Sequence, residues 1–406
     1  MQHVKVNEIL QNAIIFPTGS QPERMFMLMN MNKITAALIL ALTLILLAGT
    51  SVLAANENEE NEQITLTLEE AAEKAIGNSF QIRRAVTGSE KAYIVRQKAV
   101  EDRDDQSPIV PTLDYLLALN VAQKNIQWMM SLREIDLLRD RVAYDTTRLY
   151  YDIFREKAAQ EFAAQELSRA EKNADKALVL YRLGPASRLD YQRAQSAMEN
   201  AAADLRSREQ DLQGAYERLN RLIGLPLQER PNLLDVPQWE PLRDLDVNVY
   251  VARANENNTA LWLAEQQIEI ARYDIKMHRH FNLGGEPADP LTGPEPLEAK
   301  EKNILMTEDD FRDTRRQIEQ NVRDIYRSIR IMEQEKEKLL NRIEELEREL
   351  QAQQARFAAG LVTAYDFFEL ETAREQLNNQ ETNLLLEHEL LKLVIRKPWI
   401  LSGAPR

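Results

Sequence analysis

The sequence predicts an all-α protein made of elongated, duplicated antiparallel coiled-coil hairpins, and three observations lead to this prediction. Gly and Pro are sparse, at 12 and 15 of 406 residues, which is typical of long helices rather than of sheets. Apolar residues recur at alternating steps of three and four over long stretches, which is the pattern of helices packed along a seam. One turn sequence occurs twice, about 180 residues apart, which indicates a duplicated module.

The N-terminal region has the three parts of a secretory signal. Lys33 precedes a short apolar run that ends at Leu47, and small residues follow as far as Ala54. We therefore expect residues 1–54 to be an upstream extension plus a signal peptide that is removed on export. An uncleaved signal anchor is the alternative, although the apolar run is short for a full membrane span.

The first helical hairpin module is expected over residues 55–223. A short helix over residues 66–76 and a second helix over 79–101 precede a charged turn with two prolines. From residue 112 to 181 the chain has no helix breaker, so we predict one helix of about 105 Å at 1.5 Å per residue. A further helix over 187–222 returns along it.

A Pro-rich linker over residues 224–244, in which Trp239 should pack against the helices, leads to the second module. This module, over residues 245–402, repeats the order of the first: short helix, second helix, long helix, turn and last helix. Residues 280–303 contain three glycines and four prolines and are predicted to form a mobile loop. Pro398 ends the last helix.

The turn sequence that the two modules share has the residues that reverse a helical chain. Each copy has an aromatic residue, then Gly, a hydroxyl residue and Asp at steps of three, and a second aromatic residue directly after the Asp. The shared positions are Tyr181, Gly184, Ser187, Asp190 and Tyr191 in the first copy, and Phe357, Gly360, Thr363, Asp366 and Phe367 in the second. Gly can adopt the left-handed conformation that ends a helix, and Ser or Thr can cap the next one.

Composition and motifs argue against catalysis and against nucleic acid as a partner. The formal net charge of −14 makes the chain a poor ligand for nucleic acid. The absence of cysteine excludes disulfides, thiolate catalysis and cysteine-ligated metals. No phosphate-binding loop or nucleophile motif occurs. His278 and His280 could be metal ligands, but two histidines without nearby carboxylate or cysteine partners rarely form a metal site. We therefore interpret them as helix-end cations and His388 as a partly buried residue of the helix seam. We expect no enzyme, no cofactor and no metal.

With the signal, the duplicated module and the two turns together, residues 66–402 resemble the TolC-type outer membrane efflux family. The resemblance implies a TolC-like α-helical barrel protomer: three chains each give two hairpins to a twelve-helix tube that crosses the periplasm. It further implies an exported protein of the cell envelope, a homotrimer of the outer membrane and periplasm. The trimer would be a passive conduit for efflux or secretion that docks to a periplasmic adaptor protein and an inner-membrane pump.

The resemblance also assigns roles to residues at the two turns. Leu183, Gly184, Gly360, Leu361 and Val362 would form the tips that contact the adaptor. These five positions follow from where the family places its turns.

Three acidic residues lie just beyond the glycines. By position in the family, Asp366 and Glu369 would line the narrow entrance of the tube, with Asp190 as a further member. A ring of carboxylates from three chains favours cations over anions. The alternative for Asp190 and Asp366 is that each stabilises the dipole of the helix whose first turn it occupies.

The sequence departs from the family in leaving little or no room for a β-barrel. Residues 102–111 are too short and too charged for a membrane hairpin, and residues 280–303 are interrupted by prolines, which fit paired strands poorly. An alternative function is therefore a barrel-less periplasmic coiled-coil protein that has a structural or tethering role in the envelope.

Overall fold

Eight α-helices make up most of the part of the chain that the computed structural model describes, which is residues 64–105, 111–243, 246–280, 296–361 and 364–400. The helices are α1 Leu68–Asn78, α2 Phe80–Asp105, α3 Pro111–Leu183, α4 Arg188–Ile223, α5 Val247–Asn257, α6 Thr259–His280, α7 Leu297–Ala358 and α8 Ala364–Arg396. A 3-10 turn, Pro398–Ile400, follows α8, and two short strands, β1 Thr65–Leu66 and β2 Asn232–Leu233, pair in parallel. The predicted all-α fold class is confirmed.

The helices form two copies of one four-helix order. Helices α1 to α4 have 11, 26, 73 and 36 residues, and α5 to α8 have 11, 22, 62 and 33. In each copy the third helix is the longest and the fourth returns along it, with α3 packed on α4 and α7 packed on α8. At 1.5 Å per residue, α3 is about 110 Å long. Helices α1 to α4 lie within residues 55–223 and α5 to α8 within 245–402.

The first helix of each copy begins at a side-chain cap. Thr67 accepts a hydrogen bond from the amide of Glu70, whose carboxylate accepts one from the amide of Thr67 in return, so the two residues form a capping box. At the matching position in the second copy, the Asp246 side chain accepts a hydrogen bond from the amide of Asn248. The expected helix start at Leu66 is wrong, because Leu66 lies in β1 and the cap at Thr67 sets the first helical residue at Leu68.

The strand pair fastens the Pro-rich linker to the first copy. The amide of Asn232 donates to the carbonyl of Ile64 at 2.7 Å, and the amide of Leu234 donates to that of Leu66 at 3.1 Å. Beneath the pair, the Tyr150 side chain of α3 is fully buried in a core formed by α1 to α4 together with one leucine of α8. The linker is therefore part of the packed structure and not a free tether.

A second core lies between α5, α7, α8 and the end of the linker. Its seam positions on α7 include Val322 and Ile329, which are both buried, as the 3.5-residue period predicts. The linker reaches this region through Trp239, whose ring stacks on His388 of α8 at 4.1 Å between centroids. The packing of Trp239 against the helices is thus confirmed. His388, expected to be partly buried, has no exposed surface.

Polar contacts surround that stack and hold the linker to the second copy. Glu333 of α7 accepts a hydrogen bond from the backbone amide of Leu242 at 2.6 Å and another from Arg330 at 2.8 Å. Lys392 of α8 donates to the carbonyl of Glu240 at 2.6 Å. These contacts bind linker backbone to helix side chains, so the path of the linker is fixed by both copies.

The two copies pack on each other chiefly through α3. Helix α3 contacts α8 and α6 of the second copy. Well inside α3, Asp140 accepts hydrogen bonds from Lys397 at 2.6 Å and from the Trp399 indole at 2.7 Å. Nearer the C-terminal end of α3, the Lys172 ammonium lies 4.0 Å from the centre of the Phe368 ring.

Some predictions fall partly or wholly outside the described residues. The signal within residues 1–54 does so entirely. Of the predicted charged turn and mobile loop, the described parts are helical: α2 continues to Asp105 and α7 begins at Leu297, where the sequence analysis had placed a loop up to residue 303. Pro296 precedes α7, and proline at a helix start loses no hydrogen bond.

Candidate functional site at the hairpin turns

The first turn joins α3 to α4 around Gly184. Gly184 has φ of 96°, a left-handed conformation that favours glycine, and its amide donates to the carbonyl of Tyr181 at 3.2 Å. The amide of Ala186 then donates to the carbonyl of Leu180 at 3.3 Å. Because these bonds use carbonyls at the end of α3, they end the helix and direct the chain toward Ser187, the cap of α4.

The second turn joins α7 to α8 in a similar way. Gly360 has φ of 71°, and its amide donates to the carbonyl of Phe357 at 2.9 Å. The amide of Leu361 donates to the carbonyl of Arg356 at 2.9 Å. Val362 and Thr363, a predicted tip residue and a predicted cap, lie outside the described residues.

An aromatic pair closes each hairpin just below its turn. The rings of Tyr181 and Tyr191 stack at 6.0 Å between centroids with 9° between planes, and those of Phe357 and Phe367 stack at 6.1 Å with 15°. The aromatic positions that the two turn sequences share thus pack against each other within each hairpin. The shared turn sequence therefore specifies the same local structure twice.

Each turn presents a strongly exposed leucine next to its glycine. Leu183 is 74% exposed and Leu361 is 76% exposed, more than the other large apolar side chains of the described residues. Tyr181 and Phe357, the stacked aromatics beside them, are also exposed. Single exposed leucines are common, but leucines at the matching ends of two hairpins form a repeated apolar feature.

Asp190 has a structural partner inside its own turn. It forms a capping box with Ser187: its amide donates to the Ser187 hydroxyl at 3.2 Å, and its carboxylate accepts from the Ser187 hydroxyl at 2.7 Å and amide at 3.0 Å. These hydrogen bonds, from the hydroxyl and then from the amide, hold the pKa of the Asp190 carboxyl below its ordinary value. The helix-stabilising alternative thus has direct geometric support for Asp190.

The other two acidic candidates lie on α8. Glu369 is exposed on the first turns of that helix, and the side chain of Asp366 is outside the described residues. Asp190 belongs to the first hairpin and Glu369 to the second, and no hydrogen bond or ion pair between them occurs in the described part of the chain. A shared entrance ring thus remains a prediction about an assembly and not about a single chain.

The two turns lie at the same end of the packed helices. The contact between Lys172 and Phe368 joins the two hairpins near that end. Lys172 lies twelve residues before Gly184, and Phe368 lies eight residues after Gly360. The sequence alone does not place the hairpins relative to each other.

The histidines give no ligand set. His278 lies in the last turn of α6, as the sequence indicates, and is buried, with 3% of its surface exposed. No group of three or more His, Cys, Asp or Glu side chains among the described residues is placed to hold a metal ion. Along the described helices, no segment has both the length and the apolar character needed to cross a membrane.

Solved structures share this arrangement of helices over most of the chain. No protein-family model matches the sequence, and no curated protein matches it. The CmeC outer membrane channel of Campylobacter jejuni aligns with a TM-score of 0.60 and 10% identity, over 85% of this chain and 90% of CmeC. The outer membrane protein VceC of Vibrio cholerae aligns with a TM-score of 0.58 and 14% identity, over 83% of this chain and 96% of VceC.

A third structure with this arrangement is that of CusC, a protein whose conformational changes accompany folding and transmembrane channel formation. It aligns with a TM-score of 0.57 and 12% identity, over 87% of this chain and 96% of CusC. The fold is that of a TolC-type channel protomer. The TolC-type fold predicted from the duplicated hairpins and their turns is thereby confirmed, and at these identities the likeness shows the fold alone.

Within the TolC-type fold, sequence analysis located both turns but missed two features around them. One is the joining of the copies through Lys172 and Phe368, for which the sequence carries no periodic signal. The other is a charge difference between the turns: Arg182 and Arg188 of the first correspond to Ala358 and Ala364 of the second. That signal was readable from the aligned turn sequences.

Proposed function

We propose that this chain is the protomer of a passive, homotrimeric conduit of the cell envelope that acts in efflux or secretion at the outer membrane and periplasm. The observation that carries the proposal is the pair of TolC-type hairpins, with matching glycine turns at one end. The solved structures of this fold are outer membrane channels, as CmeC is. Because the chain would guide solutes and not transform them, the proposal assigns it no catalytic residue and no cofactor.

Exposed apolar side chains on the helix shafts support assembly. Ile94 on α2, Leu116 on α3 and Met306 on α7 are 66%, 56% and 65% exposed in the single chain. Neighbouring copies that packed helix to helix would cover such residues and gain about 25 cal/mol for each Å² of apolar surface removed from water. The trimer itself is taken from the likeness of the fold.

The turns would be the docking ends for a periplasmic adaptor protein that links the conduit to an inner-membrane pump. The residues proposed for this contact are Leu183, Gly184, Gly360, Leu361 and Val362. The exposed leucines supply apolar contact surface, and the glycines allow the helix ends beside them to shift when the tube opens.

Asp366 and Glu369 would form the acidic entrance ring, while Asp190 acts mainly as the cap of α4. Six carboxylates from three copies would raise the local concentration of cations and repel anions. Replacing Asp366 by Asn together with Glu369 by Gln should reduce cation selectivity in planar bilayers without changing oligomer mass. Unchanged selectivity would contradict the proposed entrance ring but would not contradict the proposed conduit.

The main test is a measurement of oligomer mass and of conductance on the mature chain. We expect a trimer, a hollow helical tube in electron micrographs, and ion conductance after reconstitution. A strictly monomeric chain without membrane assembly would overturn the proposal. The alternative is that the protein tethers layers of the envelope, and the high helix content of the described residues also fits this role. A soluble oligomer without conductance would favour the tether.

A further inference from the structure

The two turns both reverse the chain at a glycine with positive φ, and they are opposite in charge. Over twenty residues around the first turn, 176–195, the chain carries four cations and one carboxylate, a net charge of +3. Over the matching residues 352–371 it carries one cation and three carboxylates, a net charge of −2. Duplicated segments with the same fold thus present different electrostatic surfaces, and a difference of this kind affects partner choice rather than folding.

Two arginines dominate the first turn. Arg182 lies in the last turn of α3 and Arg188 in the first turn of α4, each followed by an exposed leucine, Leu183 or Leu189. Both arginines are exposed, and neither forms a hydrogen bond or ion pair with another described residue. The carboxylate of Asp190 accepts hydrogen bonds from Ser187 and forms no ion pair with either arginine. The first turn therefore has unpaired guanidinium groups beside apolar side chains.

The position of Arg188 is unfavourable in the isolated chain. Positive side chains in the first turn of a helix oppose the helix dipole, so this arginine is not there to stabilise α4. A carboxylate from outside would interact well with both the guanidinium and the helix N-terminus. Arginine also suits this role because its planar fork can bind a carboxylate through two hydrogen bonds.

We propose that the first turn is the acidic-partner site of the protein: it binds the end of a helical hairpin that carries carboxylates beside an apolar residue, and the second turn does not. The inference rests on the proposed docking role of the turns and specifies the partner's chemistry. A protein partner is favoured over an anionic membrane, because the whole chain has a net charge of −14 and would be repelled from one. The two leucines give a narrow apolar contact that suits a helical turn.

The test uses a fluorescently labelled synthetic peptide: an antiparallel helical hairpin with two Glu and one Leu in its turn. The matched control peptide has Gln in place of Glu. In fluorescence anisotropy at low ionic strength, the Glu hairpin should bind the mature full chain about three- to tenfold more tightly than the Gln hairpin, as expected for two exposed ion pairs. The difference should shrink with added salt, because salt screens exposed charges.

Paired variants move the site between the turns. Arg182→Ala with Arg188→Ala should remove the preference for Glu, and the exposure of both side chains means that circular dichroism and Tm should stay unchanged. Adding Ala358→Arg and Ala364→Arg to that variant should restore the preference at the second turn. Leu183→Ala should weaken binding of both peptides alike, because it removes apolar contact without changing charge.

Three results would overturn the inference. They are equal binding of the Glu and Gln hairpins, an unchanged preference in the double alanine variant, and binding of phosphatidylglycerol vesicles through the two arginines without binding of the Glu hairpin. The proposed conduit is tested separately by oligomer mass and conductance. A conducting trimer that ignores the Glu hairpin refutes only this inference, and a non-conducting chain that binds it refutes only the conduit.

Discussion

Gly184 and Gly360 are the residues on which the reversal of each hairpin depends. Their φ angles of 96° and 71° are unfavourable for any residue with a Cβ, yet a Cβ at either position would meet no atom within 4 Å. The requirement for glycine is therefore conformational and not steric. This separates the turns from positions where packing demands a small residue.

Replacing Gly184 or Gly360 by Ala should lower the free energy of unfolding by about 1–2 kcal/mol through backbone strain. Hydrogen exchange should show the loss in the last turns of α3 or α7. Gly88→Ala on α2 is the control, since a Cβ there is also free of contacts and the residue is helical, so it should stabilise by about 0.5–1 kcal/mol. Effects of the same sign at all three positions would contradict this account.

Glu333 shows how one partly buried carboxylate couples pH to the docking of the linker. Burial raises the pKa of this carboxyl, but the hydrogen bond and charge of Arg330 and the hydrogen bond from the Leu242 amide outweigh it, and the pKa lies below its ordinary value of 4.5. The ionised form therefore stabilises the fold. Its contribution is complete above the ordinary value and is lost as the pH falls through the lower folded value.

Replacing Glu333 by Gln should lower stability at pH 7 by about 1–3 kcal/mol and weaken the dependence of Tm on pH below pH 5. Differential scanning calorimetry between pH 3 and 7 measures both effects. Glu344→Gln, on the exposed face of α7, should leave the profile as it is. A Glu333→Gln profile parallel to that of the wild type would show that Glu333 is not the titrating group.

At the scale of elements, one tyrosine helps the strand pair to hold the linker to the first copy. The Tyr150 hydroxyl donates to the carbonyl of Leu66 and accepts from the amide of Asp235, both at 3.0 Å. It thus joins α3 to β1 and to the residues after β2 at a point with no solvent access. Burial raises the pKa of Tyr150, which keeps the hydroxyl protonated and able to donate.

Tyr150→Phe should cost about 1–3 kcal/mol, because it leaves a buried carbonyl and a linker amide without their partner. Thermal unfolding and hydrogen exchange at residues 232–236 measure the loss. Tyr144→Phe is the matched control on the same helix, since the Tyr144 hydroxyl makes no hydrogen bond with the described residues. If both variants lose the same stability, the bridging role of Tyr150 is excluded.

At the scale of the whole described molecule, the two copies are joined at separate points along α3. The Asp140 carboxylate accepts hydrogen bonds from Lys397 and from the Trp399 indole. The neighbouring Arg141 donates a hydrogen bond to the carbonyl of Ile400 at 3.0 Å. The residues that follow α8 are thus anchored to the first copy. The cation–π contact of Lys172 with Phe368 joins the copies toward the turns.

Asp140→Ala should lower the free energy of local unfolding of the 3-10 turn after α8 by about 1–2 kcal/mol, because it removes a carboxylate that accepts two hydrogen bonds. Faster hydrogen exchange at residues 397–400 and a red shift of Trp399 fluorescence would show this. Asp136→Ala, whose side chain is 77% exposed, should change neither. Unaltered exchange in Asp140→Ala would mean that other contacts hold the turn.

Most helix bounds were predictable, because the signals that set them are local. The expected helix over residues 187–222 is Arg188–Ile223 in the structure, and the expected breaks near Asn78 and Gly184 occur there. The start of α7 was mispredicted because proline was read as a loop former, although Pro296 also suits the position before a helix. Leu66 was assigned to a helix because its strand partner lies far along the chain.

The sequence by itself determined that this protein consists of long helices, that they form two copies of one hairpin, and where each hairpin turns. Heptad spacing, caps and glycines act over a few residues, so they can be read without a structure. Only the tertiary structure decided how the copies join, that both turns lie at one end, and where the linker runs. Those features depend on contacts such as that between Lys392 and Glu240, 152 residues apart, which no local pattern encodes.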